Sequence, residues 1–127
     1  MTETTSAARA ARGRDLGAYG EACAARYLTG LGMTVLDRNW RCDQGEIDLI
    51  LRDGHVLVIC EVKTRTSDRF GHPLEAVNER KAARLRRLAA RWLADHALRP
   101  PEVRLDLVGV LAPPGGDVTL EHVRGIG

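Results

Sequence analysis

Two short apolar runs, Ile47-Asp48-Leu49-Ile50-Leu51 and Val56-Leu57-Val58-Ile59-Cys60-Glu61-Val62, flank the dipeptide Asp53-Gly54. Runs of this length, rich in β-branched residues, predict strands. Asp-Gly between them is the strongest short hairpin signal, because both central residues of a type I′ turn need φ > 0. A β-hairpin is therefore the element around which the chain has to be built. A two-residue loop at Asp53-Gly54 pairs Arg52 with His55, sets Glu46 opposite Glu61, and sets Asp48 opposite Ile59. Side chains alternate along a strand, so Glu46, Asp48, Ile59, Glu61 and Lys63 share one face. Ile47, Leu49, Leu51, Val58, Cys60 and Val62 form the other, a face without charge. A one-residue slip would mix the two sets.

The charged face needs a reason. An isolated buried charge costs several kcal/mol, and two acids facing each other repel unless a cation intervenes. Asp48 and Glu61 are diagonal neighbours in this register, roughly 7–8 Å apart at Cα, and their carboxylates can converge on one ion. Oxygen donors without His or Cys suit Mg²⁺ or Mn²⁺ better than Zn²⁺. Lys63 lies on the same face, two residues after Glu61. It can orient an attacking water, help deprotonate it, or neutralise charge on a pentavalent phosphate. The competing reading is a solvated hairpin face carrying ordinary surface ion pairs.

Asp48 followed on the next strand by Glu61-Val62-Lys63 looks like the PD-(D/E)XK motif of restriction-endonuclease-like nucleases. A wider set of residues resembles the YraN-like family of small bacterial proteins, itself similar to archaeal Holliday-junction resolvases. That set is Asn39-Trp40-Arg41, Gly45-Glu46-Ile47-Asp48-Leu49-Ile50, Glu61-Val62-Lys63-Thr64-Arg65, Phe70-Gly71 and Lys81. The resemblance spans about residues 15 to 123. Ile47 stands where the bare motif has proline, and Cys60 where many relatives carry an aliphatic residue. The resemblance implies a restriction-endonuclease-like core and a metal-dependent endonuclease. It implies that Asp48, Glu61 and the Val62 carbonyl hold Mg²⁺ or Mn²⁺ and that Lys63 positions water. It also implies that Glu21, from the first helix, joins the cluster, although by helix position alone Glu21 reads as a surface residue. Glu46 keeps three readings: a second metal, binding through water, or pairing with an arginine such as Arg41. Resolvase-like enzymes act as dimers, so a homodimer is a further implication.

At 127 residues the chain is long enough for one domain with a real core. Residues 1–12 read as a disordered tail and 13–127 as a single nuclease-like domain. Asp15 to Leu31 predicts a helix whose apolar face is Leu16, Gly20, Cys23, Ala24, Tyr27 and Leu31. Strands are expected over Thr34–Trp40, in the hairpin, and over Val103–Leu111 and Val118–Val123. A long helix is expected over Asn78–His96, after a polar loop from Thr64 to His72. The order αβββαββ is that of an α/β fold, a mixed sheet flanked by helices. Cys23, Cys42 and Cys60 are odd in number and lack a Cys-x-x-Cys pair, which points to a reducing cytoplasm. No apolar run approaches the roughly 18 residues of a membrane span, so no membrane partner is expected.

The long helix carries the partner argument. Arg80, Arg84, Arg87 and Arg91 recur as one basic stripe, flanked by Lys81 and Arg86, while Leu85, Leu88, Ala89, Trp92 and His96 form the inward face. Such a stripe suits phosphate. The alternatives are a solvated face or pairing with acids elsewhere. Arg65 and Arg69 follow Lys63 closely enough to position a scissile phosphate. Aromatic residues make up 4% of the chain, too few for a base-stacking platform, which favours duplex or branched DNA held by its backbone. His55 and His72 sit with no Ser or Cys at triad spacing. Three function classes follow: a DNA nuclease, a nucleic-acid-binding module without activity of its own, or an interaction partner whose basic stripe docks an acidic protein or a second copy.

Overall fold

A computed structural model of the protein describes residues 6–67, 71 and 77–127, without the side chains of residues 6–14. The chain forms α1 (Ser6–Gly30), β1 (Thr34–Cys42), β2 (Gly45–Asp53), β3 (Val56–Arg65), α2 (Glu79–His96), β4 (Glu102–Leu111) and β5 (Thr119–Arg124). The order is the expected αβββαββ. The strands make one mixed sheet in the order β1-β2-β3-β4-β5, antiparallel throughout except for the parallel pair β3–β4. A parallel pair needs a crossover, and α2 lies on that crossover. Its first turn is closed by Asn78, whose side chain accepts the Lys81 N–H at 2.9 Å.

The core has two halves, one on each face of the sheet. Ala24, Ala25 and Leu28 of α1 pack with Leu49, Leu51, Val58, Cys60, Val108 and Val110. Ala82, Leu85, Leu88, Ala89 and Trp92 of α2 pack with Ile47, Ile50, Leu57, Ile59 and Leu105 on the other side. Trp92 also donates its indole N–H to Asp37 at 3.0 Å, tying α2 to β1. His96, expected on the inward face, is exposed and stacks on the Trp92 ring.

Four expectations need correction. The first helix starts at Ser6 instead of at Asp15; four alanines among residues 7–11 carry high helix propensity. The buried face of α1 is turned toward Gly20, Ala24, Ala25 and Leu28, leaving Tyr27 and Leu31 exposed. Small residues let the helix approach the sheet closely: a Cβ on Gly20 would fall on the Thr64 hydroxyl. The hairpin turn is Gly54-His55, with Asp53 opposite Val56. Gly54 has φ +62 and His55 has negative φ, so one glycine satisfies the turn at its first central position, as in type II′. This moves the register by two residues, an even number, which leaves the faces of Asp48, Glu61 and Lys63 unchanged. Finally, Ile47 packs on the α2 side and Leu49 on the α1 side. Side-chain alternation therefore breaks at Asp48, whose place on β1 is opposite Asn39 with its φ of +51, while the β1–β2 register itself shifts farther along, between Val35 and Asp37.

Candidate active site

Asp48 sits where β2 and β3 part. Their ladder ends at Leu49–Cys60, and beyond it the Asp48 carboxylate accepts the Val62 N–H at 2.8 Å. The N–H and C=O of one residue in an extended strand face the same neighbouring strand. The Val62 carbonyl therefore faces the same gap as Asp48. Glu61, one residue earlier on β3, is on the α2 side, where its carboxylate meets Lys81 of α2 at 3.4 Å. The Glu61 side chain is 15% exposed and that of Lys81 29%.

The electrostatics are those of acids short of positive charge. Burial, with the neighbouring Asp48 carboxylate, pushes Glu61 up to about 7. Burial also raises Asp48, against the lowering effect of its bond from Val62. Glu21, on α1, is raised by burial and then by Asp48. The influence of Asp48 on both glutamates places the first-helix acid and the hairpin acids in one neighbourhood, although α1 and the hairpin are separate in sequence. Gly20 explains the approach: its missing side chain seats α1 against Thr64, one residue after Lys63.

Glu46 takes the third of its expected roles. It is exposed and pairs with Arg41 across β1–β2 at 2.8 Å, instead of facing Glu61. Lys63 is exposed at the end of the Glu61 face. Arg65 donates to the Gly71 carbonyl; Arg69 lies outside the described residues, as do Phe70 and His72. Arg80, Arg84 and Arg87 are exposed along α2, while Arg91 is tied to Asp43 in the β1–β2 turn. Lys81, expected to flank the basic stripe, turns instead toward Glu61.

The donor set suits a hard divalent cation: carboxylate and carbonyl oxygens, without imidazole or thiolate. Among the described residues no three His, Cys, Asp or Glu side chains converge as a ready-made metal cage. A site of two carboxylates and a carbonyl matches the way Mg²⁺ is held, with remaining positions left to water and phosphate.

The chain matches the model of the uncharacterised protein family UPF0102 over residues 20–110. It belongs to the UPF0102 family. Among its UPF0102 relatives, a Nocardioides protein is 59% identical over 123 residues, covering 97% of this chain and 99% of its own. A Streptomyces coelicolor relative is 60% identical over 113 residues, 87% of each chain. One from Frankia alni is 59% identical over 117 residues, 91% of this chain and 98% of its own. UPF0102 is the YraN-like group whose pattern the sequence resembles, and the matched segment contains Glu21, Asp48, Glu61, Lys63 and Lys81.

One buried network escaped the sequence reading. Asp106 of β4 is fully buried and accepts from Arg104 at 2.8 and 3.0 Å, from Gly125 N–H at 3.2 Å, and meets His122 at 2.8 Å. Arg104 and His122 hold its carboxyl below the usual range. Arg104 also reaches Asp53 at the hairpin turn. The alternation Arg104-Leu105-Asp106-Leu107 signals a strand, but nothing in it says that its acid faces inward.

Among the described residues no helix is long and apolar enough to cross a membrane.

Proposed function

We propose that this UPF0102 protein is a metal-dependent endonuclease of the PD-(D/E)XK type, similar to archaeal resolvases, hydrolysing phosphodiester bonds of duplex or branched DNA. The observation that carries the reading is the opening of the β2–β3 ladder at Asp48. It sets the Asp48 carboxylate on the Val62 N–H, and Val62 lies between Glu61 and Lys63 on β3. Bound Mg²⁺ or Mn²⁺ would polarise the phosphate and make a bound water a better nucleophile near neutral pH. Asp48, Glu61 and the Val62 carbonyl hold the ion in this reading. Lys63 orients the attacking water, and its ammonium balances negative charge gathering on phosphorus as the P–O bond to the leaving strand breaks. Glu21 supports the cluster from α1. Arg80, Arg84 and Arg87 hold the backbone of the nucleic acid, a sequence-independent role. Three free thiols fit work in the cytoplasm.

A second reading is a nucleic-acid-binding module without turnover. It is favoured by the Lys81–Glu61 ion pair, which already gives the buried glutamate a counter-charge. The deciding experiment is cleavage of labelled linear, nicked, flapped and four-way-junction DNA with Mg²⁺ or Mn²⁺, beside Lys63→Ala. Metal-dependent cutting that the variant loses supports the nuclease. Binding without cutting of any form, unchanged by Lys63→Ala, supports the module.

A further inference from the structure

The ion pair at Glu61 carries an inference that rests on the nuclease reading and deepens it. Lys81 is not placed as a surface charge would be. Its backbone N–H is capped by Asn78 at 2.9 Å, which fixes it in the first turn of α2. Its side chain is more than two-thirds buried and ends 3.4 Å from Glu61 Oε2. The same ammonium lowers Asp48 as well as Glu61, so it stands within the field of both acids. Lys63, on the same strand as Glu61, is instead exposed. The lysine that meets the acids is thus the one from the helix, while the strand lysine is left to solvent.

We propose that Lys81 is a built-in counter-ion that holds the acidic pair in the metal-free protein. In this arrangement it competes with the divalent cation for Glu61, and on metal loading it turns to the phosphate backbone of bound DNA. The chemistry requires only an exchange of ionic partners. Glu61 gives up an ammonium for a divalent ion of higher charge, and the released ammonium finds a phosphate oxygen instead of returning to water. Position favours the second partner, since Lys81 lies one turn from Arg84 on the helix that bears the exposed arginine stripe. Metal and DNA would then reinforce each other, because each removes Lys81 from the partner that opposes the other.

The test is calorimetric titration of Mn²⁺ into the full chain without DNA, at pH 8, for wild type, Lys81→Met, Lys81→Arg and Asp48→Asn. Removing a competing ion pair of the usual strength should tighten Mn²⁺ binding by about fivefold in Lys81→Met. Lys81→Arg keeps the charge and should stay near wild type, and melting curves of each variant report its folding. DNA binding in Ca²⁺, measured beside it, should weaken in Lys81→Met although metal binding tightens, an opposition that simple loss of structure would not produce. Equal or weaker Mn²⁺ binding in Lys81→Met overturns the counter-ion role while leaving the metal site standing. Failure of both wild type and Lys81→Met to bind Mn²⁺ overturns the metal reading and this inference together.

Discussion

The Asp48 carboxylate stands in for a missing strand neighbour: at 2.8 Å it takes the Val62 N–H that a continued β2–β3 ladder would have bonded. One side chain thus closes the sheet locally and faces the acidic gap. The two tasks separate by mutation. Asp48→Asn keeps an acceptor oxygen for Val62 and removes a charge that burial and Glu46 oppose. Urea unfolding should show stability within about 1 kcal/mol of wild type, while calorimetry shows Mn²⁺ binding lost. Asp48→Ala leaves the Val62 N–H without that partner and should lose about 1–3 kcal/mol.

Stability should fall as pH rises through the neutral range. Glu61 titrates at about 7 in the folded protein, against an ordinary value of 4.5. The folded state therefore binds the proton more tightly than the unfolded one. The stabilisation is complete below about pH 4.5 and is lost by about pH 7 to 8. The gap corresponds to an upper bound of about 3 kcal/mol. Urea midpoints between pH 4.5 and 8 should decline in wild type, and Glu61→Gln should flatten the decline. Saturating Mn²⁺ should flatten it too, from the high-pH side. A wild-type profile that rises across this window would contradict the placement of Glu61.

The seat of α1 can be tested at one atom. Gly20→Ala puts a methyl group onto the Thr64 hydroxyl and 2.8 Å from its Cβ. Overpacking of this kind costs about 1–3 kcal/mol. It should also draw Glu21 away from Asp48, weakening Mn²⁺ binding if Glu21 supports the cluster. Thr64→Ala removes two of the three clashing atoms and should recover part of the stability in the double variant.

On the α2 stripe the arginines should not be equal. Arg84 and Arg87 are exposed and make no ion pair with the described residues, whereas Arg91 is held by Asp43. In salt-dependent binding to duplex DNA, Arg84→Ala and Arg87→Ala should each lower the slope of log K against log salt by about 1. Arg91→Ala should change it less. Slopes unchanged from wild type in all three variants would argue that the stripe does not meet phosphate.

Asp106 offers a control remote from metal chemistry. Asp106→Ala removes the buried carboxylate that Arg104 and His122 share, leaving Arg104 only Asp53, and should cost about 3–5 kcal/mol in urea unfolding. Because its carboxyl lies below the usual range, the stability it contributes is present above about pH 4 and lost below it. This is the opposite sense to Glu61, and in a separate window.

The hairpin was legible because its information is local: apolar runs, a turn glycine and strand alternation are all carried within Ile47–Val62. Even the misplaced turn left the faces intact, since the error was an even number of residues. The break at Asp48 was not legible, because it depends on β1 and the positive φ of Asn39. The start of α2 was legible to within a residue, at Asn78, but the direction of Lys81 was not, since helix periodicity groups it beside the arginine stripe. What turns it inward is the position of Glu61 under the helix, a contact twenty residues apart in sequence. Asp106 was hidden for a similar reason: two of its partners, His122 and Gly125, come from β5 and from the chain after it, and its own strand reads as an ordinary alternation.

The parallel pairing of β3 with β4 has a bearing on how the protein comes together. Asp48 and Glu61 belong to a hairpin, a contact that closes within microseconds. Lys81 and the β4 partner of β3 arrive only after the crossover is laid down, a slower event because its loop entropy is lost before the long-range contacts form. The two acids therefore meet before their counter-charge does. Early in folding they can remain hydrated and apart, and only the docking of α2 confines them. If the proposed metal site is real, a divalent ion present during refolding would meet that hairpin first, before the helix closes over the glutamate.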